Sequence, residues 1–272
     1  MSSTDITAGF QSVDRSDSEF LIKFIEDAAK FPAIVESFET QLQILDLKPG
    51  HQVLDVGCGI GDRAADMARL VAPGGRVVGT DISGAMIDAS NSRHSESGLP
   101  LEFRSADACD HPFEDASFDR IRTERVLLYV PDTERAITEF RRMLKPGGML
   151  MVVDFDFDAQ IFAHKDRALT RKTVEYISDN FPQGRIGAHL PGHFADLGFS
   201  NIVVKGVTYP CPLEFTKRIN AGTIQKGVSE GVFAADEIDN WWAALEEDEK
   251  KGRFFSAVVG HIVAGTKAAS VQ

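Results

Sequence analysis

Apolar residues first recur at helical spacing at Phe20, Leu21, Phe24, Ile25 and Ala28. Around a break at Pro32 the pattern resumes with Phe31, Ile34, Val35, Phe38 and Leu42. Two amphipathic, phenylalanine-rich helices are therefore predicted, behind a polar segment, residues 1–18, expected to be mobile. From residue 50 the texture changes, and short apolar runs alternate with helical stretches. QVLDV leads to a helix from Ile60 to Val71, and RVVGT to one from Gly84 to His94. LEFRS and FDRIR follow, then a helix from Thr133 to Leu144 and the run MLMVVDF. Such alternation reads as βαβ units and an α/β, doubly wound, mostly parallel sheet. Glycine and proline punctuate the strand starts at Gly50, Gly74-Gly75, Gly98-Leu99-Pro100 and Pro146-Gly147-Gly148.

Beyond residue 158 the pattern predicts a polar helix, then a short helix in GAHLPGHFADLGF closed by Gly198. The strand NIVVKGVTY comes next, then a helical insert through Trp241 and Trp242, and a last strand in FFSAVVGHIVAGTK. Late strands joined by turns and an insert, not by one crossover helix, predict that the sheet ends in an antiparallel pair. The expected organisation is one domain, 19–272, with helices at 19–46 and an insert at 212–252 forming a cap.

The 272 residues carry 29 basic and 41 acidic side chains, a net charge of −12. An acidic chain lacks the broad positive field that holds nucleic-acid phosphates or anionic lipid, so neither is an expected partner. No apolar run approaches the roughly 20 residues needed to span a bilayer. The start, MSSTDITAGFQSVDRSD, lacks the basic and apolar regions of a secretory signal. Cys58, Cys109 and Cys211 form no CxxC pair and are odd in number, which favours a reducing compartment and a cytoplasmic protein.

The chemistry begins at Val53-Leu54-Asp55-Val56-Gly57-Cys58-Gly59-Ile60-Gly61-Asp62. A buried strand runs into glycines spaced G-x-G-x-G and then into a helix. Glycine is needed there for positive φ or for a ligand that touches backbone. A dinucleotide fingerprint is G-x-G-x-x-G, which holds pyrophosphate at the helix N-terminus. Its third glycine would fall on Asp62, whose charge would repel a diphosphate. The loop suits a nucleoside carrying positive charge, with Asp55 at the strand end as a second carboxylate. Asp81 ends the next strand, 20 residues after Gly61, where an acid accepts both hydroxyls of a ribose. Asp107, closing the third strand in Ser105-Ala106-Asp107-Ala108, is placed to accept from an adenine amino group.

VLDVGCGIG, VVGTDIS, SADACDHPFEDASFDRI and MLKPGGMLMVVDFD, in this order, resemble the successive motifs of the class I S-adenosylmethionine-dependent methyltransferases. They are most similar to the branch that contains ubiquinone and menaquinone biosynthesis enzymes and many natural-product methyltransferases. The resemblance covers roughly residues 45–158 and implies a seven-stranded sheet with an antiparallel final hairpin. It implies S-adenosylmethionine as cofactor, with Gly57, Cys58, Gly59 and Gly61 packed under its methionine part. Asp55 would lie near the ammonium, Asp81 on the ribose diol and Ile82 over the adenine. Asp107 would take the adenine amino group beside Ala108, and Thr123 would sit beside the methionine moiety. The family's substrate face follows the fourth strand, at Arg122, Glu124, Arg125 and Tyr129. In this fold the N-terminal helices and the late insert form a lid, whose aromatic surplus, with Trp242 and Phe181 as candidates, implies an apolar cavity.

Other features carry less. Cys58 reads as a small buried filler sooner than a nucleophile. Asp154-Phe155-Asp156-Phe157-Asp158 invites a metal reading, but no EF-hand-like glycine and glutamate follow and Asp158 also reads as a helix N-cap. No metal is therefore expected, and Asp154 and Asp156 are placed in the substrate pocket. His189 and His193 are four apart and share a helix face, with Pro191 between them. They are the candidate general bases, a near-neutral pKa suiting removal of a proton from a phenol or enol. Arg-Thr-Glu-Arg stands where amide and adenine N-methyltransferases carry Asn/Asp-Pro-Pro-Tyr/Phe, and this, with the acidic charge, favours a small-molecule substrate. The reading is methyl transfer to a small apolar or aromatic metabolite at oxygen, carbon or nitrogen. Two alternatives stand beside it: a fold that binds S-adenosylmethionine without methylating (a pericyclic catalyst or a regulator), and a nicotinamide-dependent oxidoreductase, against which Asp62 counts.

Overall fold

A computed structural model describes residues 9, 10 and 12–269. Half of the N-terminal segment expected to be mobile, residues 1–8 and 11, lies outside the described residues. Residues 13–15 form a 3-10 turn with Val13 buried, so this part of the segment packs onto the fold. Helices α1 (Ser18–Ala28) and α2 (Pro32–Leu45) come next. Asp17 caps α1 by accepting from the Phe20 amide at 3.0 Å, and Pro32 opens α2, where its missing N–H costs nothing.

The βαβ region is β1 (Gln52–Val56), α3 (Asp62–Val71), β2 (Arg76–Asp81), α4 (Gly84–His94), β3 (Leu101–Ser105), β4 (Phe118–Glu124), α5 (Thr133–Met143) and β5 (Leu144–Phe162). After it stand α6 (Arg167–Asp179), α7 (Ile186–Asp196), β6 (Phe199–Pro210), α8 (Leu213–Ser229), α9 (Ala235–Lys250) and β7 (Ser256–Lys267). The seven strands are ordered β3-β2-β1-β4-β5-β7-β6. The first five are parallel, and β7 runs antiparallel between β5 and β6. This agrees with the expected sheet and its antiparallel finish.

Both faces of the sheet are covered, which is why the inner strands read as continuous apolar runs. Val53, Val77, Met151 and Ile262 pack on one face with Phe38 and Leu45 of α2 and Ala64, Met67 and Ala68 of α3. Leu54, Val78, Ile121, Leu150 and Val152 pack on the other with Phe140, Ile177, Leu190 and Phe194. The strand β5 runs on to Phe162, so Asp158 lies within it. The N-cap of the following helix is Asp166, accepting from the Leu169 amide at 3.0 Å, which corrects the N-cap reading of Asp158. The insert is two helices, α8 and α9, and buried Trp241 seats it by donating to Thr170 Oγ1 of α6 at 2.9 Å. Among the described residues no helix is long and apolar enough to cross a membrane.

Candidate active site

Strand order reverses between β1 and β4, and a ligand crevice in an open α/β sheet forms at the carboxyl ends beside such a switch. The glycine loop lies there. Gly57, Gly59 and Gly61 have φ of +69°, +54° and +81°, a region that L side chains enter at a cost. A Cβ on Gly57 would stand 2.1 Å from Val126 Cγ2, and one on Gly61 2.4 Å from Phe103 Cζ. Both the backbone conformation and the packing therefore require glycine. Cys58 packs its sulfur against Gly79 of β2, and burial, with Asp55 and Asp81 nearby, pushes its thiol well above the usual range. Both features fit the filler reading, since a thiol with a raised pKa is a poor nucleophile.

Asp81 leaves the end of β2 with its two oxygens accepting the Gly59 and Ser83 amides, each at 3.0 Å. Burial raises its pKa, and these two amides oppose the rise. The carboxylate thus fixes the glycine loop and the start of α4 at once. Ile82 beside it is 70% exposed, an apolar surface at the rim. Asp107 accepts from the Cys109 amide at 2.7 Å, and Ala108 is buried next to it. Asp62, in place of a third dinucleotide glycine, pairs with Arg93 at 2.7 Å, and Arg93 also reaches Glu26 of α1 at 2.8 Å.

Beneath the loop the parallel register of β1 and β4 sets Asp55 beside Arg122. Arg122, 3% exposed, donates to Asp55 Oδ1 and to Gln41 Oε1, each at 2.7 Å, and also pairs with Glu124. Burial works to raise the Glu124 carboxyl, but Arg122 and Arg125 overcome it and hold it below the usual range. Glu124 thus pairs first with Arg122, while Arg125, with a φ of +58°, stands 3.8 Å away. Asp55 Oδ2 and Thr123 Oγ1 are buried without a partner. An unspent carboxylate oxygen and an unspent hydroxyl are an acceptor set for an ammonium group. Together with the glycine cradle they fit the amino-acid end of a sulfonium nucleoside.

Helix α1 lies on the loop. Its Ile25 Cδ1 comes within 3.5 Å of where a Gly59 Cβ would be, and Val13, Leu21, Ile60 and Met86 form a small core between lid and loop. Asp14 accepts from Ser83 Oγ at 2.5 Å and from the Gly84 amide at 3.0 Å, tying this strap to the turn after Asp81. The Asp14 bonds left no local trace in the sequence, because each joins residues more than 60 positions apart.

A profile described as a methyltransferase domain matches residues 54–152. Over 184 residues the chain is 37% identical to UbiE of Pseudomonas putida (strain GB-1), a ubiquinone/menaquinone biosynthesis C-methyltransferase. The match covers 61% of this chain and 72% of that one. The chain belongs to the class I S-adenosylmethionine-dependent methyltransferases. This methyltransferase is also 33% identical over 247 residues to an uncharacterized 37.1 kDa protein in transposon TN4556 of Streptomyces fradiae. That match covers 89% of this chain and 70% of that one. Across these and six further curated relatives, between 45% and 72% of the relative is spanned. The fold matches YcgJ of Bacillus subtilis with a TM-score of 0.62 at 19% identity, covering 86% of this chain and 99% of that one. The cofactor of the methyltransferase is S-adenosylmethionine, and the nicotinamide reading is set aside.

On the other side of the crevice, nine rings follow one another at centroid separations of 4.2–6.2 Å. The order is Phe31, Phe215, Phe24, Phe10, Tyr129, Phe181, Phe157, Phe155, Tyr209. Tyr129 follows β4, Phe155 and Phe157 lie within β5, Tyr209 stands near the end of β6, and the other five come from the N-terminal segment, the lid helices, the insert and the loop after α6. Trp242, half-buried, packs on Trp241 and not on this chain of rings. Asp154 is fully buried and accepts from the Leu128 and Phe155 amides at 3.2 and 3.0 Å; burial pushes its carboxyl up to about 7. It braces the turn that carries Tyr129. Burial and then Asp158 raise the Asp156 carboxyl, and His261 opposes them.

His189 and His193 line a groove of about 300 Å³ with residues 178–179 and 181–186, which shares Phe181 with the ring chain and holds none of the candidate cofactor residues. Pro191 lies inside α7 without separating the two histidines from one helix. Among the described residues no group of three or more His, Cys, Asp or Glu side chains is disposed to hold a metal ion.

Proposed function

We propose that this methyltransferase methylates a small apolar or aromatic metabolite, at an oxygen, carbon or nitrogen acceptor, in a pocket closed by the N-terminal helices and the insert. The continuous chain of nine rings beside the glycine loop carries this reading, since such a wall binds flat or apolar surface and offers few polar partners. Bound S-adenosylmethionine supplies the methyl group as part of a sulfonium, so the chemical reactivity is the cofactor's own. The chain's work is alignment and exclusion of water.

Asp55, Thr123 and the glycine loop would hold the amino-acid end, Asp81 the ribose, and Ile82, Asp107 and Ala108 the adenine. Ile25 on the loop and the Val13–Leu21–Ile60–Met86 cluster shield the crevice from solvent. Tyr129, braced through Asp154, and Arg125, standing beside Glu124, border the acceptor side, and Asp156 lies further along β5. His189 and His193 share a groove with Phe181 of the ring wall and with none of the residues assigned to the cofactor, so the cofactor site does not draw on them. The net charge of −12 supports a small molecule over a nucleic acid.

The test is a panel of acceptors incubated with S-adenosylmethionine carrying a labelled methyl group. Aromatic and apolar hydroxy or enol compounds are expected to gain the label with equal formation of S-adenosylhomocysteine. Label appearing only in protein or nucleic acid would reject the proposal.

A further inference from the structure

Three buried polar atoms without partners belong to residues that flank the glycine loop along the chain or in strand register: Asp55 Oδ2 of β1, Thr123 Oγ1 of β4, whose residue pairs with Val56, and Arg63 Nη2 of α3. The first two suit an ammonium; the third is a cationic donor. Arg63 stands in the first turn of α3, the positive end of that helix. Its guanidinium lies over the Phe38 ring at 4.2 Å, the side chain as a whole is a quarter exposed, and its other terminal nitrogen pairs with partly exposed Asp66 at 3.7 Å. The neighbouring acids are already engaged. Asp55 gives one oxygen to Arg122, and Glu124 pairs with Arg122 and Arg125. Arg63 is thus a held guanidinium with one terminal nitrogen unspent, positioned by stacking at the mouth of a helix N-terminus. Leaving such a donor buried and unpaired costs free energy unless a ligand completes it.

We infer that Arg63 anchors the carboxylate of the cofactor's amino-acid end, opposite the ammonium site formed by Asp55 and Thr123. The inference rests on the cofactor assignment above. A carboxylate would take a charge-assisted bond from the guanidinium and lie on the free first-turn amides of α3. No local pattern in the sequence marks Arg63, since its partner would be the ligand and its ring support comes from α2.

The test is calorimetric titration with three probes: S-adenosylhomocysteine, its decarboxylated analogue, and 5′-methylthioadenosine, which lacks the whole amino-acid end. Wild type is expected to bind S-adenosylhomocysteine at least tenfold more tightly than the decarboxylated analogue. Arg63→Ala removes that preference while leaving 5′-methylthioadenosine affinity unchanged. Arg63→Gln, which keeps a stem over Phe38, loses the preference too, and Arg63→Lys restores part of it. A preserved preference in folded Arg63→Ala and Arg63→Gln overturns the inference and leaves the cofactor assignment standing, as does an equal loss for all three probes. A wild type silent toward all three overturns the cofactor assignment, and the inference with it.

Discussion

The two sides of the crevice are built by different means. At the tips of β1, β2 and β3 the site is made of backbone: three glycines at positive φ, amides held by Asp81, and a helix N-terminus. At the tips of β4, β5 and β6 it is made of rings, gathered from segments as far apart as Phe10 and Phe215. A backbone site tolerates little variation, because a single Cβ fills it. A ring wall can be rebuilt by exchanging one apolar side chain for another. Under the proposed function, the cofactor is read with parts that are fixed and the acceptor with parts that are replaceable.

The largest effect is expected on the backbone side. Gly57→Ala places a Cβ 2.1 Å from Val126 in a left-handed conformation. Together these should cost roughly 2–4 kcal/mol of stability and abolish cofactor binding. Urea denaturation with a parallel binding titration measures both; a stable variant that still binds would show that the loop has room to spare.

The next effect sits on the ring side and depends on pH. In the unfolded chain the Asp154 carboxyl ionises near its ordinary value of 3.8, whereas burial holds the proton in the fold up to about 7. Between these values the folded state binds the extra proton, so stability falls as pH rises, by at most about 1.4 kcal/mol per pH unit, and levels off above the folded pKa. Asp154→Asn lacks this slope. Denaturation of both proteins across the window should show the wild type losing ground to the variant; parallel curves would mean that Asp154 is ionised in the fold. The smallest effect belongs to the lid's outer fastening. Glu26→Gln removes one exposed partner of Arg93 and should cost no more than about 1 kcal/mol, most visible at low salt.

The same contrast explains what was legible in the sequence. Gly57, Gly59, Gly61, Asp81 and Asp107 stand within or just after consecutive strands, so spacing alone brought them to one edge. The mostly parallel sheet followed from the alternation of runs, and its antiparallel finish from the late strands joined without a single crossover helix. Arg122 and Asp55 meet only through the register of two parallel strands 67 residues apart, and Ser37 meets Tyr209 at 2.8 Å across 172 residues. No window along the chain contains such a pair. Asp158 misled because an acid that alternates with phenylalanine fits both a strand face and a helix cap; the long strand β5 decided it. For His189 and His193 helical spacing shows that two side chains share a face, not which way that face looks; the face borders a groove shared with Phe181.

The division between the two sides is tested most directly by titrating S-adenosylhomocysteine into wild type, Asp81→Ala and Phe181→Leu. Phe181 stacks on Phe157 at 4.2 Å in the middle of the ring chain. The account predicts that Asp81→Ala loses tenfold or more in affinity, about 1.4 kcal/mol, while Phe181→Leu binds as wild type does. An equal loss in Phe181→Leu would contradict it, for the ring wall would then be part of the cofactor site.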